Sequence, residues 1–215
     1  EDNKQAGIST ELAAFEDLGI IGGGSSNNPE NEIEIIKSRK ILGIAIDSLN
    51  LDVSYFRDGR IREVELYDKT NPIVFDWIDK SPSLMLRDTS VVVLMSENNK
   101  FILQDTDGEF KSEHSFEDRV QTKLGVFKVR INPNFEIGMR NNITQMEILT
   151  RLQPRNDVID YYLENLEINA IDDLSPILKL SLKTNVLEKG QDVINELVKQ
   201  YNIDGIKDEG LVSQK

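Results

Sequence analysis

Hydrophobic residues change their spacing twice along this chain, and that ordering limits the fold more than any motif in it. Near the start they recur at helical steps: Ile35, Leu42, Ile46 and Leu49, with Ile41 and Ala45 widening the stripe. From Asp52 to about Thr150 the texture becomes short strand-like runs. Candidates are Leu51–Phe56, Arg60–Tyr67, Ile73–Asp76, Ser90–Met95, Phe101–Gln104, Gly125–Ile131 and Thr144–Leu149. Asp58-Gly59, Asn98-Asn99 and Asp107-Gly108 fall between such runs and read as hairpin turns, because Gly and Asn tolerate the positive φ those turns need. A chain written this way folds as helices packed on a mixed sheet, an α/β (α+β) class with a β-rich middle at about 52–150.

The last third returns to mixed structure. Asn156 or Asp157 is placed to cap a helix through about Asn165, with Val158, Ile159, Tyr162 and Leu163 on its inner side. Leu166–Ile171 and Ile177–Lys183 read as strands, and a final helix from near Leu187 buries Val193, Ile194, Leu197, Val198 and Tyr201. The expected division is therefore a short helix (Ile8–Leu18) and a Gly/Ser/Asn linker within residues 1–29, then one domain over 30–215 whose second helix runs from about Glu30 to Leu49.

Charge and composition then restrict partners. The net charge is −13, so a phosphate backbone or anionic lipid surface is repelled, and no nucleic-acid partner is expected. The absence of cysteine removes disulfides, thiolate metal sites and a cysteine nucleophile. The sequence starts at Glu1 with no signal-like segment, and no apolar run approaches the ~20 residues needed to cross a bilayer. It reads as part of a larger protein.

The motifs that suggest chemistry are weak individually. Gly22-Gly23-Gly24 follows a helix, and the first lysine after it is Lys37, which fits a linker and not a phosphate loop. Asp105, Asp107 and Glu109 alternate like a calcium loop, but Gly108 falls at the fourth position instead of the sixth. His114 is the sole histidine, set in Ser112-Glu113-His114-Ser115; neighbours on one strand do not converge into a triad, so a solvated histidine is expected. Paired carboxylates abound in any chain this acidic, so counting leaves a glycosidase dyad open, but one Trp and five Tyr are few for the aromatic platforms that line a sugar-cleaving cleft. No catalytic residue, cofactor or metal ligand is expected in these residues. Trp77, the single tryptophan, is read as a packing residue by default and, with Tyr67, as the candidate glycan contact.

The run Glu30-Asn31-Glu32-Ile33-Glu34-Ile35-Ile36-Lys37-Ser38-Arg39 has acidic residues in its first turns and basic ones after, which complements a helix dipole. Glu34 is spaced to pair with Lys37. Glu34, Lys37, Arg39 and Lys40 are the candidate lateral-contact residues.

The same run, with Ala45-Ile46-Asp47-Ser48-Leu49-Asn50-Leu51, resembles the "NEIEILKSR … V..LNL" stretch of the Wzz-like chain-length determinants, the bacterial polysaccharide co-polymerases that include Wzc-like tyrosine kinases. Ser9–Leu18 is similar to the segment that precedes it in family members. Leu166–Ile171, Ile177–Lys183 and Glu188–Leu197 resemble the family's strand–strand–helix unit, with Thr184-Asn185-Val186 where an Asp-Pro turn is common and Gly190 where Ala is usual. The middle, roughly Tyr67–Leu149, matches only loosely. The resemblance implies a periplasmic α/β domain at the inner membrane, anchored by helices outside this chain. It also implies homo-oligomeric rings that work with polysaccharide and its polymerase or export machinery, and no catalysis in these residues. Any kinase would lie elsewhere in the parent.

Overall fold

A computed structural model describes residues 29–107, 110–136, 146–171 and 177–212 of the chain, with side chains described as far as residue 206. The expected Ile8–Leu18 helix, the Gly-rich linker and Gly108 lie outside those residues. The described residues form an α+β fold, as the spacing predicts. Helices α1 (Pro29–Ile36) and α2 (Arg39–Leu49) come first, and strands β1 (Val53–Arg57), β2 (Val64–Leu66), β3 (Ile73–Lys80), β4 (Thr89–Met95) and β5 (Lys100–Asp105) follow. Next are β6 (Lys111–Ser115), β7 (Val120–Thr122), β8 (Gly125–Ile131) and β9 (Glu147–Leu152). Helix α3 (Arg155–Asn165), strands β10 (Leu166–Ala170) and β11 (Leu178–Leu182) and helix α4 (Leu187–Val212) complete the order.

These elements make two lobes with separate cores. In the β lobe, a six-stranded antiparallel sheet ordered β2-β1-β9-β4-β5-β6 faces a three-stranded sheet ordered β3-β8-β7. Alternation turns Val91, Val93 and Met95 of β4 inward, where they meet Phe75 of β3 and Phe127 and Val129 of β8 in one buried cluster. Phe75 and Phe127 stack with centroids 4.9 Å apart, and burying such pairs supplies much of the lobe's stability. The turn into β8 depends on Gly125 at φ 127°, where a Cβ would lie 2.2 Å from the Asp79 carbonyl. In the helical lobe, α1, α2, α3, α4 and the β10–β11 hairpin enclose a second cluster that includes Ile41, Leu42, Ile46, Ile159, Leu166, Val193 and Leu197. Lys40 bonds Asp204 while Glu196 interacts with Ser48, so α2 and α4 run antiparallel.

Several expectations need correction. The helix expected over Glu30–Leu49 is two helices, because Ser38 stops the first and caps the second: its Oγ accepts the Ile41 N–H at 3.2 Å. The break shifts the phase of the stripe, so Ile36 is buried while Ile35 is 43% exposed. Strand β3 extends to Lys80 through a bulge between Trp77 and Asp79, which continues pairing past the expected end at Asp76. The expected strand Arg60–Tyr67 shrinks to Val64–Leu66, and β6 and β7 are strands the pattern missed. Helix α3 starts at Arg155 behind Pro154, one turn-half before the Asn156 or Asp157 cap. Ile177 lies just outside β11 and is 58% exposed.

Candidate functional site

The surface of α1 and α2 is arranged by Ser38. By restarting the helix it points Arg39 and Lys40 at their own chain: Arg39 pairs with Asp160 of α3, and the Lys40 ammonium lies 2.6 Å from Asp204 of α4. Glu32 of α1 accepts the Tyr201 hydroxyl, which pushes that phenol up to about 12, through the hydrogen bond first and burial second. Arg39 and Lys40 are thus exposed but paired across the helices, while on the same lobe Glu34 is exposed and Lys37 is half-buried.

Trp77 lines a cavity of about 340 Å³ where the lobes meet. Its floor is apolar (Val53, Leu84, Leu152) and its rim carries Gln153, Arg155 and Asn156. Lys80 pairs with Asp52, and the Arg155 guanidinium forms two bonds to Asp47 at 2.6 and 2.8 Å, which holds that guanidinium firmly charged. The four charges cancel, so the rim offers hydrogen bonds without a net charge. The indole packs on Phe75 and Phe127, its N–H is buried without an acceptor, and the Lys80 ammonium lies 5.6 Å from the ring centroid. The default reading of Trp77 as a packing residue and its place at a cavity wall are both visible in this geometry.

Tyr67 is elsewhere. It lines a separate cavity of about 130 Å³ with Leu51, Tyr55, Asn71 and Asn132, and donates its hydroxyl to Asp192 of α4 at 2.8 Å. Burial, then the bond to Asp192, pushes its phenol well above the usual tyrosine range. Beside it Lys189 of α4 meets Glu65 of β2 at 2.7 Å, with side chains only 12% and 18% exposed. The structure thus does not bring Trp77 and Tyr67 into one site. Glu65, Lys189 and Asp192 escaped the sequence reading because Glu65 lies more than 120 residues from Lys189, as Tyr67 does from Asp192, and neither pair carries a local signal.

His114 is half-buried instead of solvated. Its Nε2 lies 2.7 Å from Ser112 Oγ, since residues two apart on β6 share a face, and its ring sits 5.6 Å from Phe101. No cleft or acidic partner accompanies this pair among the cavities and hydrogen bonds of the described residues. Asp105 accepts the Phe110 N–H at 3.1 Å, as a turn residue does. Among the described residues no group of three or more His, Asp or Glu converges on a metal position, and no helix is long and apolar enough to cross a membrane. What the arrangement offers chemically is hydrogen bonding and packing along surfaces and at the lobe junction. No protein-family model and no curated protein matches this chain.

Proposed function

We propose that this chain is a non-catalytic scaffold domain of a Wzz-like polysaccharide co-polymerase. It stands on the periplasmic face of a bacterial inner membrane, where copies assemble side by side to set polysaccharide length or guide export. One observation carries this reading. The stretches that resemble the family, Asn31–Arg39 and Ala45–Leu51 towards one end and Leu166–Ile171, Ile177–Lys183 and Glu188–Leu197 towards the other, lie more than 110 residues apart, yet they supply most of the second buried cluster. The loosely matching middle forms a core of its own. Joint packing of these stretches is consistent with reading them as parts of one unit.

The test is lateral proximity in the membrane. Full-length protein carrying Glu34→Cys or Lys37→Cys is oxidised in intact cells and run on a non-reducing gel. A ladder of cross-linked copies is expected, and a protein that stays monomeric at every position tried on this face counts against side-by-side assembly.

A second reading, saccharide binding, is supported by the Trp77 cavity. Its volume of about 340 Å³ suits a single small ligand, and its amides and balanced charges suit neutral hydroxyl groups better than an anion. Because Trp77 is the only tryptophan, its fluorescence reports on that cavity alone. Saturable quenching by neutral oligosaccharides, lost in Gln153→Ala, supports this reading, and an unchanged spectrum across the panel removes it.

A further inference from the structure

The two lobes meet along a seam that is open, with walls that mix apolar side chains such as Leu51, Leu66 and Tyr162 with charged ones. Their buried clusters share no residue and their sheets share no strand. Three cavities, of about 340, 130 and 170 Å³, lie along the junction, each lined by residues of both lobes. The chain crosses only twice in the described residues, at Asn50–Asp52 and at Gln153–Pro154. These crossings run side by side: the Gln153 N–H donates to the Asp52 carbonyl at 2.9 Å, just outside the Val53–Leu152 pair of β1 and β9. Two connections joined at one point form a hinge. Asn50, which closes α2 in the left-handed region at φ 50°, marks one side of it.

Away from that hinge, two polar side-chain contacts span the seam among the described residues. Lys189 and Asp192, both in the first turns of α4, hold Glu65 and Tyr67 at the end of β2. They are charge-assisted and directional, so they fix an orientation, whereas an apolar interface would fix it by area. A seam with cavities on both sides of its fastening has room to open or close without breaking either core.

We propose that the β lobe turns as a rigid unit about the paired crossings Asn50–Asp52 and Gln153–Pro154, and that the Glu65–Lys189 and Tyr67–Asp192 contacts latch it in the orientation described here. The proposal concerns this chain alone and does not depend on assembly or on saccharide.

The absence of native cysteine makes the test clean. Spin labels are placed through Arg119→Cys in the β lobe and Glu164→Cys on α3, both exposed, and pulsed electron resonance measures their distance distribution. A second pair, Glu164→Cys with Asn195→Cys on α4, reports within the helical lobe. The latch is removed by Glu65→Gln, Tyr67→Phe and Lys189→Met together, which leaves no unpaired buried charge. The between-lobe distribution is expected to widen about twofold or shift, while the within-lobe distribution keeps its width. An unchanged between-lobe distribution overturns the latch. Equal broadening of both pairs overturns the rigid lobe and indicates loosened folding. Asp192→Asn with Tyr67→Phe, which removes the exposed contact and strands no buried charge, is expected to move the distribution in the same direction, and no movement would contradict the proposal.

Discussion

Lys189 and Glu65 meet 2.7 Å apart across the junction between a helical lobe and a β lobe, 124 residues apart in sequence and both largely withdrawn from water. Removing one partner leaves the other charge poorly solvated, whereas removing both does not. Lys189→Met is therefore expected to destabilise the protein by about 2–3 kcal/mol, a value lowered from fully buried pairs for the remaining exposure. Glu65→Gln with Lys189→Met should recover most of that loss. Urea unfolding of the two single variants and the double variant checks this; additive losses would show that the pair is not coupled.

Thr150 is the one residue of β9 whose inward side chain carries a hydroxyl: it is 0% exposed and its Oγ has no partner. Thr150→Val keeps the shape and removes an unsatisfied polar group. A gain of about 1 kcal/mol is expected in the same denaturation assay. A loss would mean the hydroxyl is satisfied in solution.

Ser38 separates two helices that the hydrophobic pattern runs together. Ser38→Ala removes the bond to the Ile41 N–H and should cost about 1 kcal/mol. Ser38→Asp, which keeps a capping oxygen and adds a charge at the α2 N-terminus, should be neutral or stabilising. A circular-dichroism melt of each variant distinguishes these outcomes.

Glu196 is buried on α4 and accepts bonds from Gln200 and Lys199, at 2.7 Å from Gln200 Nε2 and 2.9 Å from Lys199 Nζ. Those bonds, Gln200 first, hold its carboxyl below the ordinary range even though burial opposes them. A depressed folded pKa means stability that is present above the unfolded value and lost as pH falls through the folded one. Stability is thus expected to drop on the acid side of about pH 4, and Glu196→Gln should flatten that drop while lowering stability at neutral pH. Denaturant midpoints at neutral and acid pH test it; an identical acid slope in the variant would contradict the assignment.

The fold class, the β-rich middle and the helical ends were legible because periodicity is local: Val91, Val93 and Met95 alternate, and Leu42, Ala45 and Ile46 repeat at helical steps, as their burial requires. The break at Ser38 was not, since a stripe running through Ile35 and Leu42 hides a change of phase. Strand β6 escaped because Lys111-Ser112-Glu113-His114-Ser115 is a polar edge strand with almost no hydrophobic signal. The site was less legible still. The seam is built from residues brought together by topology, and its contacts Glu65–Lys189 and Tyr67–Asp192 leave no mark in sequence spacing. Arg39 and Lys40 looked like surface cations, and only the packing of α3 and α4 against α2 shows their partners.

That division decides which substitutions address function. Arg39→Glu would break a contact with Asp160 within the chain, so it confounds folding with assembly. Glu34 is exposed and Lys37 half-exposed, and among the described residues no ion pair to another helix is seen for either, so they avoid that confusion. The most direct measurement is the length distribution of polysaccharide made by cells that carry the full-length protein with Glu34→Lys and Lys37→Glu, the protein's level in the membrane being matched to wild type. A scaffold whose lateral surface sets polymer length predicts a distribution shifted or broadened relative to wild type. An unchanged distribution would contradict that role for this surface.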